Sequence, residues 1–334
     1  MKVALSVGLV WFSLWAVAEQ RPPGRLERAS LFGGDYVRLD DWARANGGQV
    51  RWTVPKQDVK VSLPGASLSC TVDSHKALVK GTYVWLSLPV AFKNGSAYIG
   101  AVDVRAALNP VLFPSRNPSG QPVHSIVLDP GHGGKDPGNE EGRRQEKQFT
   151  LAFAKELSDV LNRAGFNVSL TRKSDTFIDL PERPDIARRR GADLFISLHF
   201  NSADGAGSST VKGSEVYCMT PARTSSTNAR GEGGGAGGFP GNRFDAKNML
   251  LAWQIQKALA EKSGAEDRGV KRARYAVLRT AEMPAVLIEA AFMTHPLDAK
   301  RISDPSQRKQ MAQAIADGIL AYKNVVEGAR ASGR

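Results

Sequence analysis

Four side chains in the 334-residue sequence stand where apolar runs give out: His132, Glu146, His199 and Glu289. Ile126-Val-Leu128 stops at Asp129-Pro130-Gly131, and a glycine-rich turn then holds His132. This is how a chain presents an imidazole at the mouth of a sheet. Leu194-Phe-Ile-Ser-Leu-His199 also ends in an imidazole, Ala285-Val-Leu-Ile-Glu289 ends in a carboxylate, and Glu146 opens a helical pattern after the first loop. Two histidines and one glutamate are an established ligand set for a catalytic zinc, whose fourth position is left to water. His132, Glu146 and His199 supply that set, which leaves Glu289 as a free carboxylate beside the ion. The water's pKa would fall toward ~7. Glu289 would take its proton during attack on a carbonyl and return it to a leaving amine. Taken singly, each residue has an ordinary reading: a loop histidine, an acid favoured in a helix's first turn, a polar strand end, a surface acid. Together those readings fail, because all four groups sit where a sheet-edge site would form, and a charged residue directly after Val-Leu-Ile is costly in a buried strand.

Such a site needs parallel strands side by side, since ligands of open α/β sheets bind outside the carboxyl ends of the strands. The chain from about 124 to 324 alternates accordingly. Phe149, Phe153, Leu157, Val160 and Leu161 fall at helical spacing and Gly165 ends that helix, while 166–171 and 213–218 alternate as strands. A short helix over 181–190 carries Arg188-Arg189-Arg190, read as a solvated face. Asp245 is read as the cap of a helix bearing Leu251, Ile255 and Leu259 and ended by Gly264. Asp304-Pro305 opens a last helix with Met311, Ile315, Ile319 and Tyr322 on one face, and 325–334 is a polar tail. The fold class is α/β, a mostly parallel or mixed sheet flanked by helices, preceded by a small β-rich α+β domain.

That first domain spans 29–113. Tyr36-Val-Arg-Leu-Asp-Asp-Trp-Ala-Arg-Ala45 recurs in weakened form as Tyr98-Ile-Gly-Ala-Val-Asp-Val-Arg-Ala-Ala-Leu108, each a strand end passing through Asp into a short helix. Gly47-Gly48 should stop the first helix and Asn109-Pro110 the second. Between them, 50–54, 59–63, 67–72 and 82–86 alternate as half-buried strands. Residues 114–123, rich in Pro and Ser, form a linker.

The chain's start reads as an address. Met1-Lys2, an apolar run to Leu14 and Ala16-Val17-Ala18 make a secretory signal over 1–18, too short to span a bilayer. The expected location is periplasmic or secreted, with no membrane contact after cleavage. A net charge of +12 and a pI near 9.8 invite an anionic partner such as a cell-wall polymer. No nucleic-acid-binding signature appears, so nucleic acid is not expected. Cys70 and Cys218 are read as two small buried residues without a bridge.

The residues from Leu128-Asp-Pro-Gly-His-Gly-Gly-Lys-Asp-Pro-Gly138 onward carry a resemblance. With Glu146-Lys147, Ser197-Leu-His-Phe-Asn201, Asp267-Arg-Gly-Val270 and Met283-Pro-Ala-Val-Leu-Ile-Glu-Ala-Ala-Phe292, the sequence resembles the zinc-dependent N-acetylmuramoyl-L-alanine amidases of the third amidase family. The resemblance covers 124–324. It implies zinc held by His132, Glu146 and His199, with Glu289 as the catalytic carboxylate. It also implies a peptidoglycan substrate, cut at the amide joining N-acetylmuramic acid to the L-alanine of the stem. Ala291 and His295 depart from the family's common Gly and Asn; His295 is read as a turn residue before Pro296. Residues 29–113 resemble the copper amine oxidase N-terminal-like domain but bring no copper ligands, His75 standing alone. The glycine-rich core 231–238 of the segment 220–243 resists helix formation, so an open rim is expected rather than a plug. Alternatives are a wall-binding protein with a decayed site and a zinc peptidase cutting within the stem. Whether a protein activator is needed is not legible.

Overall fold

In the computed structural model the described residues are 26–117, 122–227 and 237–331. The expected signal segment, part of the linker and most of the glycine-rich core lie outside them. Among the described residues, no helix is long and apolar enough to cross a membrane.

The apolar runs form the centre of a mixed sheet. Ser125–Pro130 pairs in parallel with Asn167–Leu170 on one side and with Leu194–Asn201 on the other, and Leu194–Asn201 pairs in parallel with Ala285–Phe292. Ser214–Met219 follows antiparallel, then Asp267–Ala273 parallel to it. Residues 126–128, 194–196 and 285–288 are apolar without a break because both faces of these central strands are covered. Ile126, Leu128, Ile196, Val216 and Ile288 pack beneath the helices Glu146–Arg163, Asp245–Lys262 and Pro305–Ala331. Val127, Phe195, Tyr217 and Leu287 meet the short helices Glu182–Arg189 and Ala276–Arg279 on the other face. The α/β reading of this half is thus met, with one antiparallel strand making the sheet mixed.

The sheet does not end there. Beyond Asp267–Ala273 it runs on through Thr82–Trp85, Lys76–Val79, Ala66–Thr71, Asp58–Leu63 and Gln49–Val54, eleven strands among the described residues. The join is parallel, with Val270 opposite Val84. Gly269 allows it: its φ is +89°, and a Cβ there would lie 2.8 Å from the Tyr83 carbonyl oxygen. Across the join the Tyr83 amide donates to Asp267 (2.9 Å), the Trp85 indole to the Arg268 carbonyl (3.0 Å) and the buried Arg272 guanidinium to the Ala106 carbonyl (2.7 Å). One apolar core runs through both halves.

The two copies of the internal repeat lie side by side in a second sheet of four strands, where Val37 faces Ile99 and Arg38 faces Tyr98. Gly47, at φ +72°, follows the helix Leu39–Ala45 as expected. Two expectations are corrected. Asn109-Pro110 does not stop the second helix: after a π-helical turn over Val104–Leu108, Asn109–Leu112 continues, and the Ala106 carbonyl, four residues before Pro110 and denied an N–H by it, accepts from Arg272 instead. Asp245 is the first residue of its helix rather than the cap, and its carboxylate accepts from the Asn242 side chain (3.0 Å). Cys70 and Cys218 are buried free thiols.

Candidate metal centre

The loop after Ser125–Pro130 is held by buried charge. Asp129 is fully buried and accepts hydrogen bonds from Thr171 (2.7 Å), Arg183 (3.0 Å) and Ser197 (2.9 Å). Arg172 donates to the carbonyls of Pro130 and Gly131, and Arg183 to those of Pro130 and His132. With its carbonyls fixed from behind, the loop turns the His132 side chain into the cavity at a left-handed φ of 61°. That conformation is uncommon for a non-glycine residue. Gly131 must be glycine for a different reason: a Cβ there would come within 2.3 Å of the His199 ring.

His132, Glu146 and His199 come together at the carboxyl ends of the strands, with candidate ligand atoms all within 4.8 Å of one another. The two rings meet edge to face at 4.9 Å between centroids. His132 Nε2 lies 3.0 Å from Glu146 Oε2 and His199 Nδ1 3.0 Å from Oε1. The other ring nitrogen of His132 faces Asp136 (2.9 Å), the carboxylate partner that orients an imidazole and leaves Nε2 free to ligate. Burial works against charge on Glu146, but hydrogen bonds from His132 and His199 outweigh it and hold its pKa well below the ordinary range. Burial likewise disfavours a charged His132, yet Glu146 and Asp136 prevail and raise its pKa. Asn139 donates to Glu146 Oε2 through its backbone (2.9 Å) and its side chain (3.0 Å), and the Phe200 amide donates to Oε1 (3.1 Å). The donor set therefore fits one divalent ion, whose nitrogen and oxygen ligands would sit at about 2.0–2.2 Å.

Glu289 stands opposite His199 in the neighbouring strand, on the wall of a cavity of about 480 Å³ that it shares with the three donors, Tyr275 and Leu180. Its Oε2 is buried with no hydrogen-bond partner. Burial, followed by the charges of Glu146 and Glu215, pushes its pKa well above the usual carboxylate range, with Lys271 pulling the other way. A carboxyl whose affinity for a proton is raised in this way, set in a cleft, is suited to proton transfer. On its other side, opposite Glu289 across the strand pair, is Glu215, buried and held by Asn201 (2.8 Å), Tyr217 (2.7 Å), Arg268 (2.9 Å) and Lys271.

Asp136, Asn139, Arg172, Arg183 and Glu215 were not singled out from sequence. Glu215 carried the same signal as Glu289, an acid inside an otherwise apolar strand; Arg172 and Arg183 look like any exposed arginine until the fold buries them. His295 lies apart from the centre and caps the helix Pro296–Ser303, its ring accepting from the Leu297 amide (3.2 Å). His75, in the first half, faces the Leu86 carbonyl (3.0 Å). Arg188 and Arg189 pair with Asp185 at the surface, the solvated face expected of them.

Residues 33–111 match the copper amine oxidase N-terminal domain family, as the strand pattern suggested. The N-acetylmuramoyl-L-alanine amidase AmiC of Neisseria meningitidis is 35% identical over 261 residues, which cover 70% of this chain and 62% of that protein. LytC of Bacillus subtilis is 36% identical over 78% of this chain and 48% of its own length, so the chain spans less than two thirds of either relative. Among solved structures, an N-acetylmuramoyl-L-alanine amidase from Clostridium difficile 630 superposes with a TM-score of 0.51 at 29% identity, over 60% of this chain and 97% of its own. AmiC2 of Nostoc punctiforme superposes with a TM-score of 0.50 at 33% identity, over 60% and 96%. Residues 126–321, which span the three donors and Glu289, match the N-acetylmuramoyl-L-alanine amidase family, and the chain belongs to it.

Proposed function

We propose that the protein is an exported, zinc-dependent peptidoglycan hydrolase that cuts the amide between N-acetylmuramic acid and the L-alanine of the stem peptide. The observation that carries this reading is the meeting of His132, Glu146 and His199 within 4.8 Å, with the partnerless Glu289 carboxylate on the same cavity wall. His132, Glu146 and His199 would hold the zinc, with Asp136 behind His132 and Asn139 behind Glu146. When bound, zinc supplies Lewis acidity, polarising an amide carbonyl and acidifying water. Glu289 takes a proton at Oε2 and delivers it to the departing amine of L-alanine. Leu180, Tyr275, Val277 and Leu287 give the cavity a largely apolar wall beside that exchange. The net charge of +12 favours an anionic wall, and the amidase names of the relatives support the bond chosen.

Purified protein should release stem peptides bearing a free N-terminal L-alanine from sacculi, lose this with a chelator and regain it with zinc. Glu289→Gln should lower kcat by roughly 10²–10⁴-fold while still retaining the metal. Full activity in Glu289→Gln would remove the residue from the reaction, and products cut within the stem would make the enzyme a peptidase.

A further inference from the structure

The sheet face that carries Glu289 does not stop at the cavity. Glu289 stands opposite Glu215, Tyr217 opposite Lys271, and Trp85 opposite Lys76, with Lys271 and Trp85 brought alongside by the Val270–Val84 pair. Next to this row runs another, Tyr83, Leu78, Ser69, Lys60 and Arg51, each opposite the next. The reverse side of these strands, with Val84, Val79, Leu68 and Val61, is buried in the shared core. The forward side is open: Tyr83, Trp85, Lys76, Leu78 and Ser69 are half-buried, while Lys60 and Arg51 are exposed. A concavity of about 410 Å³ indents it between Thr53, Asp58, Ser69, Lys76 and Tyr83.

We propose that this face is a binding shelf for the glycan strand of peptidoglycan, so that the first half of the chain is part of the substrate site rather than a spacer. The inference rests on the activity proposed above. The shelf has the composition such a strand requires. Trp85 and Leu78 offer apolar surface to the faces of sugar rings, and the Tyr83 ring holds the Lys76 ammonium beside them. Ser69 and Thr71 offer hydroxyls to acetamido and hydroxyl groups. Lys76, Lys60 and Arg51 offer charge to stem carboxylates against a single facing acid, Asp58, which already accepts from Thr71 (2.6 Å). The lysines are aligned with the aromatic rings, Lys76 at 3.6 Å from the Tyr83 centroid and Lys271 at 5.7 Å from that of Trp85. The shelf is also continuous with the candidate site: three strand spacings separate the Glu289 strand from that of Tyr83 and Trp85, about 14 Å, and the shelf extends about 19 Å further across the sheet.

The test compares the full chain with Arg51→Glu/Lys60→Glu, both at exposed positions, and with Tyr83→Ala, on intact sacculi and on a soluble N-acetylmuramoyl-peptide too short to reach the shelf. Each variant should lose about tenfold in kcat/KM on sacculi, through KM, equivalent to ~1.4 kcal/mol of binding. Cleavage of the short fragment should be retained. The loss in the charge variant should shrink at high salt. Equal losses on both substrates, or none on either, overturn the shelf. So does a variant that keeps full retention on sacculi while losing binding to anionic phospholipid vesicles. If wild-type protein cuts neither substrate, the amidase reading fails by itself, and co-sedimentation with sacculi, reduced in the variants, still supports the shelf.

Discussion

His132 is held in a left-handed conformation, and the holding is done by groups buried behind its loop. Arg172 and Arg183 spend their donors on the carbonyls of residues 130–132, and Asp129 completes the array. Asp136 acts one step closer, through the His132 ring. Asp136→Ala should leave the fold intact and weaken metal affinity by about 10–100-fold, since such partners orient the ligand and raise its basicity; competition against a chromogenic chelator measures this. Unchanged affinity would show that His132 is oriented by its loop alone. At this scale the sequence was most legible where a polar residue ends an apolar run, as at His132, His199 and Glu289. It was least legible where partners lie far along the chain: Asp129 and Arg183 are 54 residues apart, and neither spacing nor composition announces that they meet in the interior.

Among the elements, the antiparallel strand Ser214–Met219 has the most unexpected part. It seats Glu215 directly beside Glu289 and is bound to Asp267–Ala273 by Arg268 and Lys271. Burial opposes the Glu215 charge, but Lys271, Tyr217 and Arg268 outweigh it, so its folded pKa lies below the unfolded value. Stability from this group is therefore present above the unfolded carboxylate pKa and is lost as pH falls through the lower folded value. Glu215→Gln should cost roughly 3–5 kcal/mol at neutral pH, because two cations are left without their partner. The gap from wild type should begin to narrow as pH falls below about 4.3, the ordinary glutamate value, and close only once pH has passed below the lower folded value. Urea unfolding across pH checks this, and a gap independent of pH would mean that Glu215 contributes by packing. Helices are legible wherever apolar spacing is regular, as over Glu146–Arg163, and misleading at Asn109-Pro110, where the distant Arg272 takes the carbonyl that the proline leaves unbonded.

At the scale of the whole molecule, two segments with the composition of separate domains share a sheet and a core. Val270 faces Val84 across the join, and the Trp253 indole donates to the Val79 carbonyl (3.2 Å). Residues 122–331 produced alone would leave Asp267–Ala273 as an edge strand with unpaired backbone groups. We expect that fragment to melt at a lower temperature than the full chain and to associate as concentration rises, by calorimetry and light scattering. A monomer with unchanged Tm would reduce the join to a passive contact.

By itself the sequence determined which elements form and which residues can do chemistry, because periodicity, turn residues and the polar ends of apolar runs are local properties of the chain. Only the tertiary structure decided that Glu215 lies against Glu289, that Arg172 and Arg183 sit behind the His132 loop, and that Thr82–Trp85 joins the sheet beside Asp267–Ala273. Strand pairing and ion pairing between distant segments are chosen by how whole surfaces fit, and backbone hydrogen bonds, alike at every residue, carry no mark of the partner they will find.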